Sequence, residues 1–187
     1  MVPLTSLLLP IVLAAVIVFV ASSVIHMVLG YHSTDFSRLP QQNQVMDALR
    51  PLNIPPGEYF APHSANAAER KSPEFTELTN RGPVFALTVF PAGQWRMGGR
   101  LIQWFLYSVA VSLVAAYIAG RTLPPGTDYL QVFRVSGTVA FAGYALGHLP
   151  PSIWYNRKWS TTLKNMFDGL IYGLLTGGTF GWLWPAM

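Results

Sequence analysis

The chain has 187 residues, 51% of them hydrophobic and 11% charged, against about 25% charged in ordinary soluble domains. Its net charge of +4 comes without a clustered basic patch, so no nucleic-acid partner is expected. The absence of cysteine excludes disulfides, thiolate nucleophiles and cysteine-ligated metal or iron–sulfur centres.

Charge is segregated along the chain. Residues 31–100 hold seven Lys/Arg and six Asp/Glu, while long stretches elsewhere hold none. That pattern reads as membrane spans joined by one polar segment, in a single polytopic domain over 1–187. A hydrocarbon core of about 30 Å needs about 20 helical residues, and four segments supply them.

The first span runs over about 4–29, with Pro10 in its first third and no charge between 10 and 25. It lacks a positive n-region and an A-x-A site, so it reads as an uncleaved span rather than a signal peptide. The polar segment, about 31–99, follows. Pro40 opens a short helix over 41–50 that Pro51 closes. Residues 53–59 are turn and extended chain, because their prolines lack donors and Gly57 permits a bend. Ser72 and Pro73 read as the N-cap and first position of a helix ending near Asn80, with Gly82 available for a left-handed cap. Residues 83–91 are short and apolar between prolines, a strand or a membrane-surface segment. Further spans follow at about 101–120, 130–149 and 166–184. Gln131 and Arg134 make the third the least apolar, and Arg134 can snorkel to the headgroups. The predicted fold class is an all-α integral membrane protein, with four transmembrane helices and a largely irregular cytoplasmic loop carrying short helices.

Orientation follows from cations. Ten Lys/Arg fall on the side of 31–100 and the turn at 150–165, and only Arg121 and Arg134 on the other. The positive-inside rule then puts both termini outside and 31–99 in the cytoplasm. Compact size and composition point to a bacterial inner membrane. Trp95, Trp104, Trp154 and Trp159 would mark the inner edge, and Tyr117, Tyr129, Trp182 and Trp184 the outer.

Small residues recur at helical spacing. Gly169, Gly173, Gly177 and Gly181 stand four apart in span four. Span two offers Ser108, Ser112, Ala116 and Gly120, and span three Ser136, Ala140, Gly143 and Gly147. Such strips let helix backbones approach closely in lipid, where no hydrophobic drive presses helices together. Packing within one bundle is the preferred reading; a homo-oligomer interface or a small-residue pore is the rival.

The predicted topology puts His26, His148 and Asp168 at one depth near the cytoplasmic face, a set able to bind metal, haem or a quinone head. The interfacial reading is preferred. Asp168 would sit at a positive helix end one turn from Lys164, the histidines would bond headgroups or loop backbone, and the three would not converge. His32, Asp35 and His63 are too irregularly spaced to point to a metal site in the polar segment. Arg96, Arg100, Arg157, Lys158 and Lys164 border the inner leaflet and read as contacts to anionic lipid, or to an anion.

No phosphate loop, dinucleotide fingerprint, nucleophile elbow or metalloprotease motif occurs. No catalytic residue is identified and no cofactor is favoured. The leading expectation is a non-catalytic structural or accessory membrane subunit, partnered by the bilayer and by a second copy or another membrane protein. The rivals are a small oligomeric transporter or channel, and a membrane redox or metal-binding protein using the inner-face histidines.

Overall fold

The computed structural model describes residues 1–94 and 96–186; Trp95, expected at a span edge, lies outside them. The chain runs α1 (Leu8–Met27), α2 (Gln42–Leu49), β1 (Gly57–Ala61), α3 (Ala67–Arg70), α4 (Pro73–Arg81), β2 (Phe85–Val89), α5 (Gly98–Thr122), α6 (Tyr129–Ala145), α7 (Leu149–Trp154) and α8 (Trp159–Trp182). It is mostly helical, at 69%. Where the sequence suggests one domain with a loop at 31–99, the chain divides into two compact units, Met1–Ser37 with Arg96–Met187, and Arg38–Trp95.

The first unit is a bundle of α1, α5, α6 and α8. Two helical stretches, Leu4–Met27 and Gly98–Thr122, are long and apolar enough to cross a membrane. The expected spans at 130–149 and 166–184 are helical but do not reach that standard. α6 has only 17 residues, because Pro150 cannot donate to Leu146 and its ring would crowd that carbonyl. The chain tightens instead into a 3-10 turn, Leu146–His148. α8 is long enough but carries Lys164, Asn165 and Asp168 in its first half. Pro10 acts likewise on α1, which is preceded by a 3-10 turn, Leu4–Leu7.

α6 and α8 pack in antiparallel register through the glycine ladder. A Cβ built on Gly169 would lie 2.9 Å from the Ala145 Cβ, on Gly173 3.0 Å from the Gly137 oxygen, and on Gly177 2.8 Å from the Phe133 oxygen. On Gly181 it would lie 2.7 Å from the Tyr129 ring. Both helices therefore step by four along one seam. The α5 strip Ser108, Ser112, Ala116 and Gly120 is buried throughout. The α6 strip is corrected in part. Ser136 and Ala140 are buried, but Gly143 meets Val111 of α5 and Gly147 faces open space. Gly137, one position beyond Ser136, is the glycine that meets the ladder, because rotation of α6 presents Phe133, Gly137 and Phe141 to α8.

Small polar residues share the core of this unit with Leu7, Val18, Val132 and Phe180, and many large apolar residues lie outside it. Ser108, Ser112, Ser136, Thr162, Thr176 and Asp168 are buried, while Leu8, Val12, Val20, Ile102, Leu106, Val114, Phe167 and Leu174 are exposed.

The second unit, by itself, is more regular than expected. β1 and β2 form an antiparallel pair with Tyr59 opposite Leu87, which makes the centre of 83–91, Phe85–Val89, a strand. The helix over 41–50 appears as α2. Ser72 accepts the Phe75 amide to cap α4, Pro73 takes the first position, and Gly82 follows at φ 60°.

Candidate functional site

Gly30 places this site. It sits after α1 at φ 64°, in the left-handed region that glycine enters without a Cβ penalty, and turns the chain back on itself. Residues 31–37 then return over the start of α8. The segment is held by lysines of α8 and of the turn before it. Lys164 Nζ donates to the Tyr31 carbonyl at 2.6 Å, Thr34 Oγ1 at 2.8 Å and Asp35 Oδ1 at 3.1 Å. Lys158 Nζ donates to the Thr34 carbonyl at 3.0 Å.

At the centre is Asp168, 2% exposed. Tyr31 donates its hydroxyl to Oδ1, and His32 Nε2 donates to Oδ2 at 2.8 Å. The other His32 nitrogen, Nδ1, donates to Asp35 Oδ2 at 2.6 Å. Two carboxylates, Asp35 and Asp168, thus face the His32 ring and the Lys164 ammonium. Burial at low dielectric is tolerable because the set is paired and hydrogen-bonded. Burial alone would raise the Asp35 carboxyl, but hydrogen bonds and charge from His32 and Lys164 outweigh it and hold it below its ordinary value. The Tyr31 phenol is pushed far up, first by burial, then by its bond to Asp168 and the charges of Asp168 and Asp35.

His26 stacks on His32, ring centroids 4.4 Å apart and planes 10° from parallel. Its Nδ1 lies 3.1 Å from the Ser22 carbonyl, which fixes the proton on that nitrogen and leaves Nε2 as an acceptor.

Beside this cluster, among α1, α5, α6 and α8, lies a cavity of about 490 Å³. His26, His148, Asn165, Asp168 and Arg100 line it together with Met27, Met97, Leu101, Trp104, Tyr107, Tyr144 and Tyr172. Trp104, Tyr144 and Tyr172 pack ring to ring, with centroids between 5.3 and 6.1 Å apart. Trp104 Nε1 donates to Ser22 Oγ at 2.7 Å and Tyr107 to the Gly143 carbonyl at 2.6 Å. The Tyr172 hydroxyl is buried with no hydrogen-bond partner among the described residues. A buried hydroxyl of that kind costs about 1–3 kcal/mol unless something satisfies it.

His26, His148 and Asp168, expected to stay apart, all line one cavity. His26 and Asp168 also approach one another through His32, whereas His148 is not in that cluster. Of the irregular loop set, His32 and Asp35 pair and belong to the helical unit, while His63 belongs to the other unit. Lys158 and Lys164, read as lipid contacts, are tied to residues 31–37; Arg96 is exposed and Arg157 half-buried. Sequence reasoning missed Tyr31, Tyr172 and the partnership of His32 with Asp168. Gly30 directly after an apolar span, followed by Tyr-His, was the available signal. No family model, curated protein or solved structure matches the chain.

Proposed function

We propose that the chain is a four-span integral membrane protein holding a lipid-soluble ligand with a hydrogen-bonding head, of the quinone type, in the cavity beside Asp168. The cavity carries this reading over that of a purely structural subunit. Its size falls within the roughly 300–1,000 Å³ of small-molecule sites, and it joins an aromatic wall to convergent polar groups. A channel through the small-residue faces is disfavoured, because the α8 ladder is filled by the α6 backbone. The apolar outer surface supports four spans: a bundle with many leucines and valines outside, and serine, threonine and glycine among its inner residues, suits lipid.

The test is organic extraction and native mass spectrometry of protein purified in mild detergent. A stoichiometric lipid-soluble adduct is expected. Tyr172→Phe removes a hydroxyl that has no hydrogen-bond partner among the described residues, so the stripped protein should melt no lower than wild type. Ligand retention should nevertheless fall roughly 2–10-fold, the worth of one hydrogen bond. No adduct, or retention unchanged in Tyr172→Phe, would sink the reading.

The proposed orientation has both termini outside a bacterial inner membrane and residues 38–95 in the cytoplasm, as the cation bias favours. Because the chain has no cysteine, single-cysteine labelling has no background. An impermeant maleimide should label Thr127→Cys in intact cells and Gln44→Cys only after permeabilisation. The opposite pattern reverses the orientation.

A further inference from the structure

We infer that His26, His32 and Asp168 form a mononuclear site for a first-row divalent cation of the zinc or ferrous class. One ligand-type atom from each residue lies within 4.8 Å of the other two. Each histidine also has its Nδ1 engaged as metal-bound imidazoles do, His26 on the Ser22 carbonyl and His32 on the Asp35 carboxylate. Such outer bonds fix the ring orientation and assign Nε2 to the cation, once the bond from His32 Nε2 to Asp168 opens. Tyr31 does the same for the carboxylate, occupying Oδ1 of Asp168 and leaving Oδ2.

The donor set selects the ion. Two imidazoles and one carboxylate suit zinc or non-haem iron(II), whereas calcium and magnesium prefer all-oxygen sites. Three protein donors with a further position open is the pattern of reactive rather than structural zinc sites. His26 and Asp168 both line the cavity, so a fourth ligand can come from there.

In the present geometry the His32–Asp168 hydrogen bond, 2.8 Å, stands where the cation would go. Donors at about 2.0–2.2 Å from a tetrahedral zinc stand about 3.3 Å apart. Loading therefore releases the proton of that bond to solvent, replaces the bond with two metal bonds, parts His32 Nε2 and Asp168 Oδ2 slightly and fans the stacked rings open. The small, exposed movement belongs to His26, at the last turn of α1. The inference does not rest on a lipid-soluble molecule filling the cavity.

Chelator-treated full-length protein in detergent is titrated with Co²⁺, followed by its visible ligand-field absorption, with Zn²⁺ and anaerobic Fe²⁺ as competitors. One equivalent is expected to bind, with the intense bands of a low-coordinate site. His26→Ala should abolish those bands, and Asp35→Asn should weaken binding about 10–100-fold. His63→Ala, in the other compact unit, should change neither. Among the described residues His26 hydrogen-bonds a carbonyl of its own helix and otherwise stacks, exposed, on His32, so His26→Ala should melt close to wild type, which keeps the comparison clean. No binding by folded wild type up to millimolar Co²⁺, or undiminished bands in His26→Ala, would overturn the site. Adduct extraction scores the ligand reading separately, since it is carried out without added metal.

Discussion

Gly177→Leu is expected to block folding of the helical unit, or to lower its melting temperature more than any single trimming of its outer surface. At that position a Cβ already meets the Phe133 oxygen at 2.8 Å and the Gly137 Cα at 3.1 Å. Those are backbone atoms, which cannot rotate aside as a side chain would. Overpacking into a core usually costs about 1–3 kcal/mol, and a clash with backbone belongs at or beyond the top of that range. Gly173→Leu should behave alike, and Gly177→Ala should fall between. Leu174, next to Gly173 in sequence, is 48% exposed, so Leu174→Ala should cost far less. Thermal unfolding in one detergent decides the matter. Equal melting of Gly177→Leu and wild type would refute close α6–α8 contact.

Asp168→Ala is the second large effect expected. It strips the acceptor from the Tyr31 hydroxyl and His32 Nε2 together, and leaves the half-buried His32 ring with Asp35 as its remaining carboxylate. Breaking one partner of a buried pair typically costs about 3–5 kcal/mol. Asp168→Asn should recover part of that loss, since its carbonyl still accepts from Tyr31 while a neutral His32 can accept from its amide. The damage should be local as well as global. Residues 31–37 hang on Asp168, Lys164 and Lys158, so their amides should exchange faster in Asp168→Ala than those of α6. Unchanged exchange over 31–37 would show that the lysines alone hold the segment.

Much of the helical plan was legible because its signals are local. Pro40 and Pro51 bracket α2, Ser72 and Pro73 start α4, and the α8 glycines repeat at a fixed four-residue step. The span ends were less legible. Pro150 and Pro151 shorten α6 from the far side, so an apolar run outlasted the helix that carries it. The candidate site was least legible, for a reason the spacing cannot repair. Depth follows from counting residues along a helix, but convergence depends on how each helix is rotated. Equal depth therefore brought His26, His148 and Asp168 to one level without saying that they face one cavity. His32 was assigned to a loop because the turn at Gly30 that returns it is set by a single left-handed residue.

The α6–α8 seam joins neighbours in the chain, whereas Tyr31 and Asp168 stand 137 positions apart. Contacts between nearby segments close quickly, and distant ones wait for the intervening chain to be placed. During biosynthesis α1 can pack on α5, through contacts such as Trp104 with Ser22, but its contact with α8 must wait until α8 has emerged, and the carboxylate–imidazole cluster waits with it. A truncated or half-inserted product would carry every histidine and no centre. Cluster integrity thus acts as a chemical certificate that the first and last helices have met.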